Sequence, residues 1–434
     1  MSRFLTVIRN KNIQILLVYR GLRSIIFVGS ALFAFYVLSI QSAPPKILGI
    51  IISVGYLSSM VGSILGGYLT DMVGRKLTLA VSSLLAGCGW ITLSFSQNWI
   101  QIALSYGLTT GMMVCAYPAY TALVSDCLPE DVGRGLGILN TVTGIIWAIG
   151  ALLAATTAQY LGFGFLFMII AVPYFLSIFP ILKIKERELE ETRKPFKLMR
   201  FNRFNILRES PSLFILSISV LLGTFGLYSV NYYPDFVEKT FNVGTFQMGI
   251  FDSIYQITWA LTNYPMGSLS DRMGRKKVII IGYTLMGLAW LLFPLPHSLY
   301  WLFIIFSVYS IGSSMGYFTT ALAIDVTSKQ KKGTAVGVLN FFMYIGVFLS
   351  GIIGGILWEG FGALTSFRIS FITVIVAGLI IYFFLKNPGQ NPSKLKSREY
   401  IDVINGRYLV YYRGYLVQRV RLHAVVSKLL LYKS

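Results

Sequence analysis

Charge is scarce in this sequence. Of 434 residues 12% are charged, 17 are acidic, two are histidine and three are cysteine. Neither His297 nor His423 lies in a long apolar stretch, and Cys88, Cys115 and Cys127 lack metal-site spacing, so no metal or other cofactor is expected. A phosphate-binding glycine loop is missing, as is any catalytic grouping of carboxylates, hydroxyls and thiols. Work driven by nucleotide hydrolysis is thereby excluded, and nothing points to an enzyme. The N-terminus MSRFLTVIRNKN has no cleavage site of small residues, so the first apolar stretch is expected to be retained.

What is abundant is apolar: 55% of the residues, with a mean hydropathy of +0.68, far beyond a soluble domain. Stretches of about 20 apolar residues, the length a helix needs to cross roughly 30 Å of hydrocarbon, recur from Ile13 to Leu385. Twelve are predicted, at about 13–38, 47–69, 77–96, 98–122, 135–160, 162–182, 212–234, 247–269, 277–295, 299–323, 334–358 and 362–385. Strict alternation is lacking, which argues against a membrane barrel and for an all-α bundle.

The net charge of +20 would suggest nucleic acid in a soluble protein. Here the basic residues are sorted by side. Lys46, Lys239 and Arg368 fall on one side, Arg20 and Arg23 lie within the first span, and all the others fall on the other side with both termini. By the positive-inside rule that side is the cytoplasm. The basicity is topological, and no nucleic-acid partner is expected.

The sequence also repeats itself. Gly67 to Leu79 read GYLTDMVGRKLTL and Gly267 to Ile279 read GSLSDRMGRKKVI, so Gly67, Leu69, Asp71, Gly74, Arg75 and Lys76 recur 200 residues on at Gly267, Leu269, Asp271, Gly274, Arg275 and Lys276. The same offset carries Gly137, Leu139 and Asn140 onto Gly337, Leu339 and Asn340. The chain is read as two six-helix halves, 1–183 and 211–386, with a charged linker at 184–210 and a basic tail at 387–434.

The doubled segment resembles the signature G-x-L-x-D-R-x-G-R-K-x-x-L of the major facilitator superfamily. The first copy has Met72 where that pattern has Arg; the second keeps Arg272. The resemblance implies two pseudo-symmetric bundles and alternating access to a central site. It also implies a gate in which Asp71 caps the eleventh helix and Asp271 the fifth, near Gly133, Gly135, Gly137, Gly333 and Gly337, with an inner-gate ion pair of the first half weakened where Met72 stands for Arg. Asp126 and Asp325, at the ends of the fourth and tenth spans, are candidate partners of the basic loops or solvated helix-end carboxylates.

Polar side chains at helical spacing should face the bundle interior. The eighth span carries Asp252, Tyr255, Gln256, Trp259 and Asn263 on one face, and its counterpart in the second span is Tyr56, Ser59 and Ser63. The seventh span adds Tyr228, Asn231, Tyr232 and Asp235, the fifth Asn140 and Trp147, the eleventh Asn340 and Tyr344. These residues either line a solute cavity or bond helix to helix. Small residues spaced by four, Gly62 with Gly66 and Gly351 with Gly355, would admit close helix contact, and Pro118, Pro173 and Pro265 could bend their helices.

Arg23 reaches mid-membrane, where it would bind an anionic group or pair with an acid such as Asp252; Arg20 could instead snorkel to the inner surface. Asp252 is either a proton site or a residue of the outer mouth. The fifth span lacks the Gly-Pro element of family antiporters, against drug antiport. The expectation is a plasma-membrane, monomeric secondary transporter of a small organic solute, by proton-coupled symport if the solute is anionic. Efflux of amphipathic compounds and a non-transporting sensor are the alternatives. The tail, with its cluster RYLVYYRGYLV, is an interfacial segment on anionic lipid or a poorly ordered one.

Overall fold

A bilayer offers no hydrogen-bond partners to the backbone, so a chain this apolar must satisfy its amides within helices. The computed structural model describes residues 10–127, 132–184, 205–316, 318–327, 331–385, 399–404, 407–412 and 415–420. It separates into two units, Met1–Phe384 and Leu385–Ser434.

The first unit is helical. Helix α1 (Lys11–Ser24) opens on Asn10, whose side chain accepts from the amides of Asn12 and Ile13. After a non-helical segment at 25–29, α2 (Ser30–Phe35) continues as a π-helix over Tyr36–Ile40. Then follow α3 (Pro45–Val73), α4 (Arg75–Ser94), α5 (Trp99–Cys127), α6 (Val132–Leu176) and the short α7 (Ile178–Leu182). Beyond the linker come α8 (Asn205–Glu209), α9 (Pro211–Gly226), α10 (Ser229–Phe241), α11 (Thr245–Met273), α12 (Arg275–Leu292), α13 (Leu299–Gly316), α14 (Phe318–Asp325) and α15 (Lys332–Phe384).

Among the described residues seven helical runs are long and apolar enough to cross a membrane. Two of these, Leu139–Leu182 and Gly333–Phe384, hold 44 and 52 residues. At about 1.5 Å per residue that is at least twice the hydrocarbon thickness. Each is interrupted by a glycine of positive φ, Gly162 and Gly362. The chain has turned back by Ile181, which shares one buried cluster with Leu139, Ile13 and Leu79. Pro118, Pro173 and Pro265 stand inside continuous helices.

The repeat read in the sequence is written into the backbone and the core. The described residues with positive φ fall into three pairs at the 200-residue offset: Ser42 with Asn242, Gly74 with Gly274, and Gly162 with Gly362. Trp90 stacks on Phe167 with ring centroids 5.7 Å apart, and Trp290 stacks on Phe367 at the same 5.7 Å. Tyr36 meets Phe167 edge-on, and Phe236 meets Phe367 likewise. The break after α1 also has its counterpart, the turn at Leu227 and Tyr228 between α9 and α10.

Small residues set the closest approaches. A Cβ at Gly62 would lie 2.1 Å from the Gly111 carbonyl oxygen, and one at Gly66 the same distance from that of Cys115, so α3 and α5 pack backbone to backbone.

The second unit holds β1 (Glu399–Ile404), β2 (Arg407–Tyr412) and β3 (Tyr415–Val420), an antiparallel sheet in the order β1-β2-β3. Ile404 pairs with Arg407 and Tyr412 with Tyr415, and the register slips at Val410/Tyr411. This corrects the expectation of a poorly ordered tail over these strands. Its β-branched and aromatic residues, with Asn405-Gly406 between two of the strands, carried a hairpin signal.

Gly74 has φ 93° and ψ 165°, a region closed to side chains, where it joins α3 to α4. Gly74→Ala is expected to destabilise the protein by about 1–3 kcal/mol, whereas Gly67→Ala, whose Cβ would meet nothing within 4 Å, should change little. Thermal unfolding in detergent compares the two.

Candidate functional site

The two sequence halves meet along two helix pairs. Where α3 crosses α15, Gly49 and Gly351 face each other: a Cβ on Gly49 would stand 2.2 Å from the Gly351 carbonyl oxygen. Ser53 donates to the Phe348 carbonyl at 2.8 Å and Lys46 pairs with Glu359 at 3.1 Å, while within the second half Tyr232 of α10 donates to the Gly351 carbonyl at 2.7 Å. Where α6 crosses α11, Gly249 packs on Ala155, Ser253 donates to the Ala148 carbonyl, and Gly144 abuts Ala260. Ser39 donates to Glu238 between the π-helix and α10. Apart from Gly144 and Ala260, which meet near mid-bundle, these contacts lie toward the end away from the doubled loops, which is therefore shut. At the doubled-loop end Gly67, Gly333 and Gly337 border open space and Asp71 is exposed.

Asp252 belongs to the shut end. Its side chain is 4% exposed, and its two oxygens accept the amides of Ala31 and Leu32, each at 3.0 Å. Those amides start α2 and lack helical partners, so a carboxyl from the other half caps the broken first span. Asp252 does not pair with Arg23, because it sits beyond the break whereas Arg23 is in the last turn before it.

The arginines are held by neutral groups. Arg20 donates to the Asn140 amide oxygen at 2.8 Å and the Tyr120 hydroxyl at 3.1 Å, its guanidinium carbon 4.8 Å from the Tyr120 ring centroid and 6.0 Å from that of Trp147. It is turned across the bundle toward Asn140 and Tyr120. Arg23 donates to Tyr19 and lies 4.7 Å from the Tyr174 ring centroid. Among the described residues neither arginine forms an ion pair. Tyr19, Tyr120 and Tyr174 were not singled out from sequence, although Tyr19 and Arg23 stand at i and i+4 on one helix face.

The remaining polar residues divide. Tyr228 is fully buried and donates to the Ser366 carbonyl at 2.6 Å, and Asn231 is 8% exposed. Tyr255 bonds Ser313 at 2.9 Å within its own half, Asn263 donates back to the Trp259 carbonyl at 2.9 Å, and Trp259 lies against Gly144. Asp235 is taken by Lys239 at 2.8 Å and by the Trp358 indole N–H at 2.9 Å. Much of the polar stripe thus bonds helix to helix. Tyr56, Gln256, Asn340 and Tyr344 are half-buried.

The basic residues of the doubled loops reach into their own halves, in parallel. Arg75 pairs with Asp126, and Arg275 with Asp325 at 2.9 Å. Lys76 donates to the Leu182 carbonyl at 2.6 Å and Lys276 to that of Tyr382 at 2.9 Å; burial lowers the Lys276 pKa from the usual lysine value. Met72 and Arg272 are exposed. Among the described residues Asp71 makes no capping contact with the eleventh helix, consistent with the opposite end being the shut one. The side chains of Asp271 and of residues 132–138 lie outside the described residues.

Two sequence-related helical halves, shut at one end around an interior where Arg20 and Arg23 form no ion pair among the described residues, form the framework of a solute carrier. The sequence matches the family profile described as Major Facilitator Superfamily over residues 22–251 and again over 225–431. The chain belongs to the major facilitator superfamily. It is a multi-pass membrane transporter and not an enzyme. An uncharacterized transporter of this type from Methanocaldococcus jannaschii is 26% identical over 343 residues, covering 76% of this chain and 84% of the relative. Among solved structures the nucleoside transporter NupG aligns with a TM-score of 0.75 at 15% identity, covering 86% of this chain and 100% of that one. A bacterial homologue of the lysosomal transporter Spinster aligns with a TM-score of 0.68 at 14% identity, covering 88% and 96%. At these identities the likeness is one of fold.

A Cβ on Gly351 would stand 2.2 Å from the Ser53 hydroxyl and 2.6 Å from the Gly49 carbonyl oxygen. Gly351→Val is therefore expected to wedge the shut end open in this superfamily transporter. A thiol placed at Ile52, 4% exposed in the parent, should then react at least fivefold faster with a membrane-impermeant maleimide.

Proposed function

We propose that the protein is a secondary active transporter with twelve crossings and cytoplasmic termini, placed in the plasma membrane. It carries a small organic anion by alternating access between its two halves, with Arg20 and Arg23 attracting the anionic group and protons moving in symport. The observation that carries this reading is Arg20, a guanidinium inside the bundle balanced by an amide oxygen, a hydroxyl and two aromatic faces. An uncompensated charge in a low-dielectric interior costs several kcal/mol, and a carboxylate or phosphate is the partner a guanidinium fork fits best.

Proton coupling follows from the charge of the cargo. Moving one negative charge into a compartment negative inside costs about 2.3 kcal/mol per 100 mV, and a co-transported proton cancels that cost. Trp147 and Tyr120 supply apolar faces for the organic body of the solute.

Uptake by proteoliposomes of a panel of small carboxylates and phosphate-bearing metabolites, with and without an acidic exterior, tests the proposal. At least one anion should enter faster under the acidic exterior, and Arg20→Gln should slow it at least tenfold. Arg20→Lys should recover only part of the rate, since an ammonium lacks the fork. No anion flux, or equal flux in the Gln variant, contradicts it.

A further inference from the structure

The geometry points to Asp252 as the positioning residue of the gate: its carboxyl group, carried by one half, holds the broken helix of the other half and keeps the end away from the doubled loops shut.

The break at 25–29 leaves the first amides of α2 without helical acceptors, inside a segment whose residues from Ala31 to Leu38 are all buried. Buried away from solvent, those amides need a protein acceptor. Asp252 supplies both oxygens from α11, 221 residues away in sequence. Gly29 makes the approach possible, since a Cβ at that position would lie 2.2 Å from the Asp252 carboxyl carbon. The carboxyl has no cation within ion-pair distance among the described residues, so its partner is the helix itself.

The repeat supplies an internal control. The corresponding turn in the other half closes on itself, Val230 donating to the Leu227 carbonyl at 3.0 Å and Asn231 to that of Tyr228 at 2.9 Å. At the position matching Asp252, α3 carries Ile52, which is buried. The acidic cap is therefore peculiar to one side of the gate and is not a by-product of pseudo-symmetry. It also joins gate to interior. Phe27, within the break, donates its amide to the Gly150 carbonyl at 3.1 Å, and its ring lies 5.2 Å from Trp147, the residue flanking Arg20. Separation of the halves at this end must pull Asp252 from α2 and free the segment that touches the arginine site. This inference stands whatever the chemistry of the solute.

Spin labels at Gln97→Cys and His297→Cys, exposed loop positions at this end of the two halves, report the gate by electron–electron distance measurement on the full chain with its three native cysteines replaced by alanine. The parent should show mainly the short distance of the shut end. Asp252→Ala should cut that population at least threefold, and Asp252→Asn at least as much, because its amide group opposes one backbone N–H with another donor. Gly29→Ala should match them by displacing the carboxyl, and the Gly29→Ala, Asp252→Ala double variant should go no further than either single one. Should the alanine variant not fold, the asparagine variant, which keeps the volume, is read in its place. An unchanged distance distribution in a folded Asp252 variant overturns the inference, and so do effects of Gly29→Ala and Asp252→Ala that simply add.

Discussion

A helix in a bilayer cannot be interrupted for free, because each amide released from the helix finds neither water nor a neighbouring strand. This constraint accounts for the arrangement at the shut end. The first span is broken at 25–29, and the two amides that restart it are taken by Asp252 from the opposite half. The resulting contact is stable while the halves are together and has no substitute when they part. A break that would be a defect in a single bundle becomes an intersubdomain bond when a second bundle provides the acceptor.

Around that bond the two halves are built alike and used unlike. The tryptophan–phenylalanine stacks, the positive-φ glycines and the lysine contacts to helix-end carbonyls recur at the same offset. Packing of this kind follows from shape, and a duplicated sequence preserves it. Polar chemistry away from the doubled loops departs from the symmetry: Arg20 and Arg23 belong to the first half, Asp252 to the second, and the positions 200 residues from them hold Val220, Gly223 and Ile52. The rigid framework is shared, whereas the groups that recognise a solute and close the gate are specific to one side. Glycines Gly49 and Gly351 let α3 and α15 approach backbone to backbone at the opposite seam, where the ion pair, Lys46 with Glu359, lies at the surface and not at the crossing itself.

The sequence made the membrane, the repeat and the family legible, because hydrophobic run length and a thirteen-residue motif are local signals. The pairing of Arg75 with Asp126 and of Arg275 with Asp325 was within reach for the same reason, each pair joining neighbouring helix ends. Asp252 was visible as a polar residue on the correct face, but its partner is backbone, which carries no residue-type signal and sits 221 positions away. Arg20 was read as able to snorkel because nothing in its own helix shows that Asn140 and Tyr120 wait across the bundle. For Tyr228 cavity lining and helix-to-helix bonding were equally open, because its bond to the Ser366 carbonyl is likewise to distant backbone. The tail's strands were missed when its charge was weighed above its β-branched and aromatic alternation.

The central claim is that the seam closed in this structure must open during transport. Lys46 and Glu359 bridge it at the surface, 3.1 Å apart and exposed enough to be replaced without loss of packing. With cysteines at both positions, in a chain freed of its native thiols, a short bifunctional thiol reagent should join the halves and abolish solute flux, and a reducible version should restore the flux on reduction. Undiminished flux through the cross-linked protein would contradict the account.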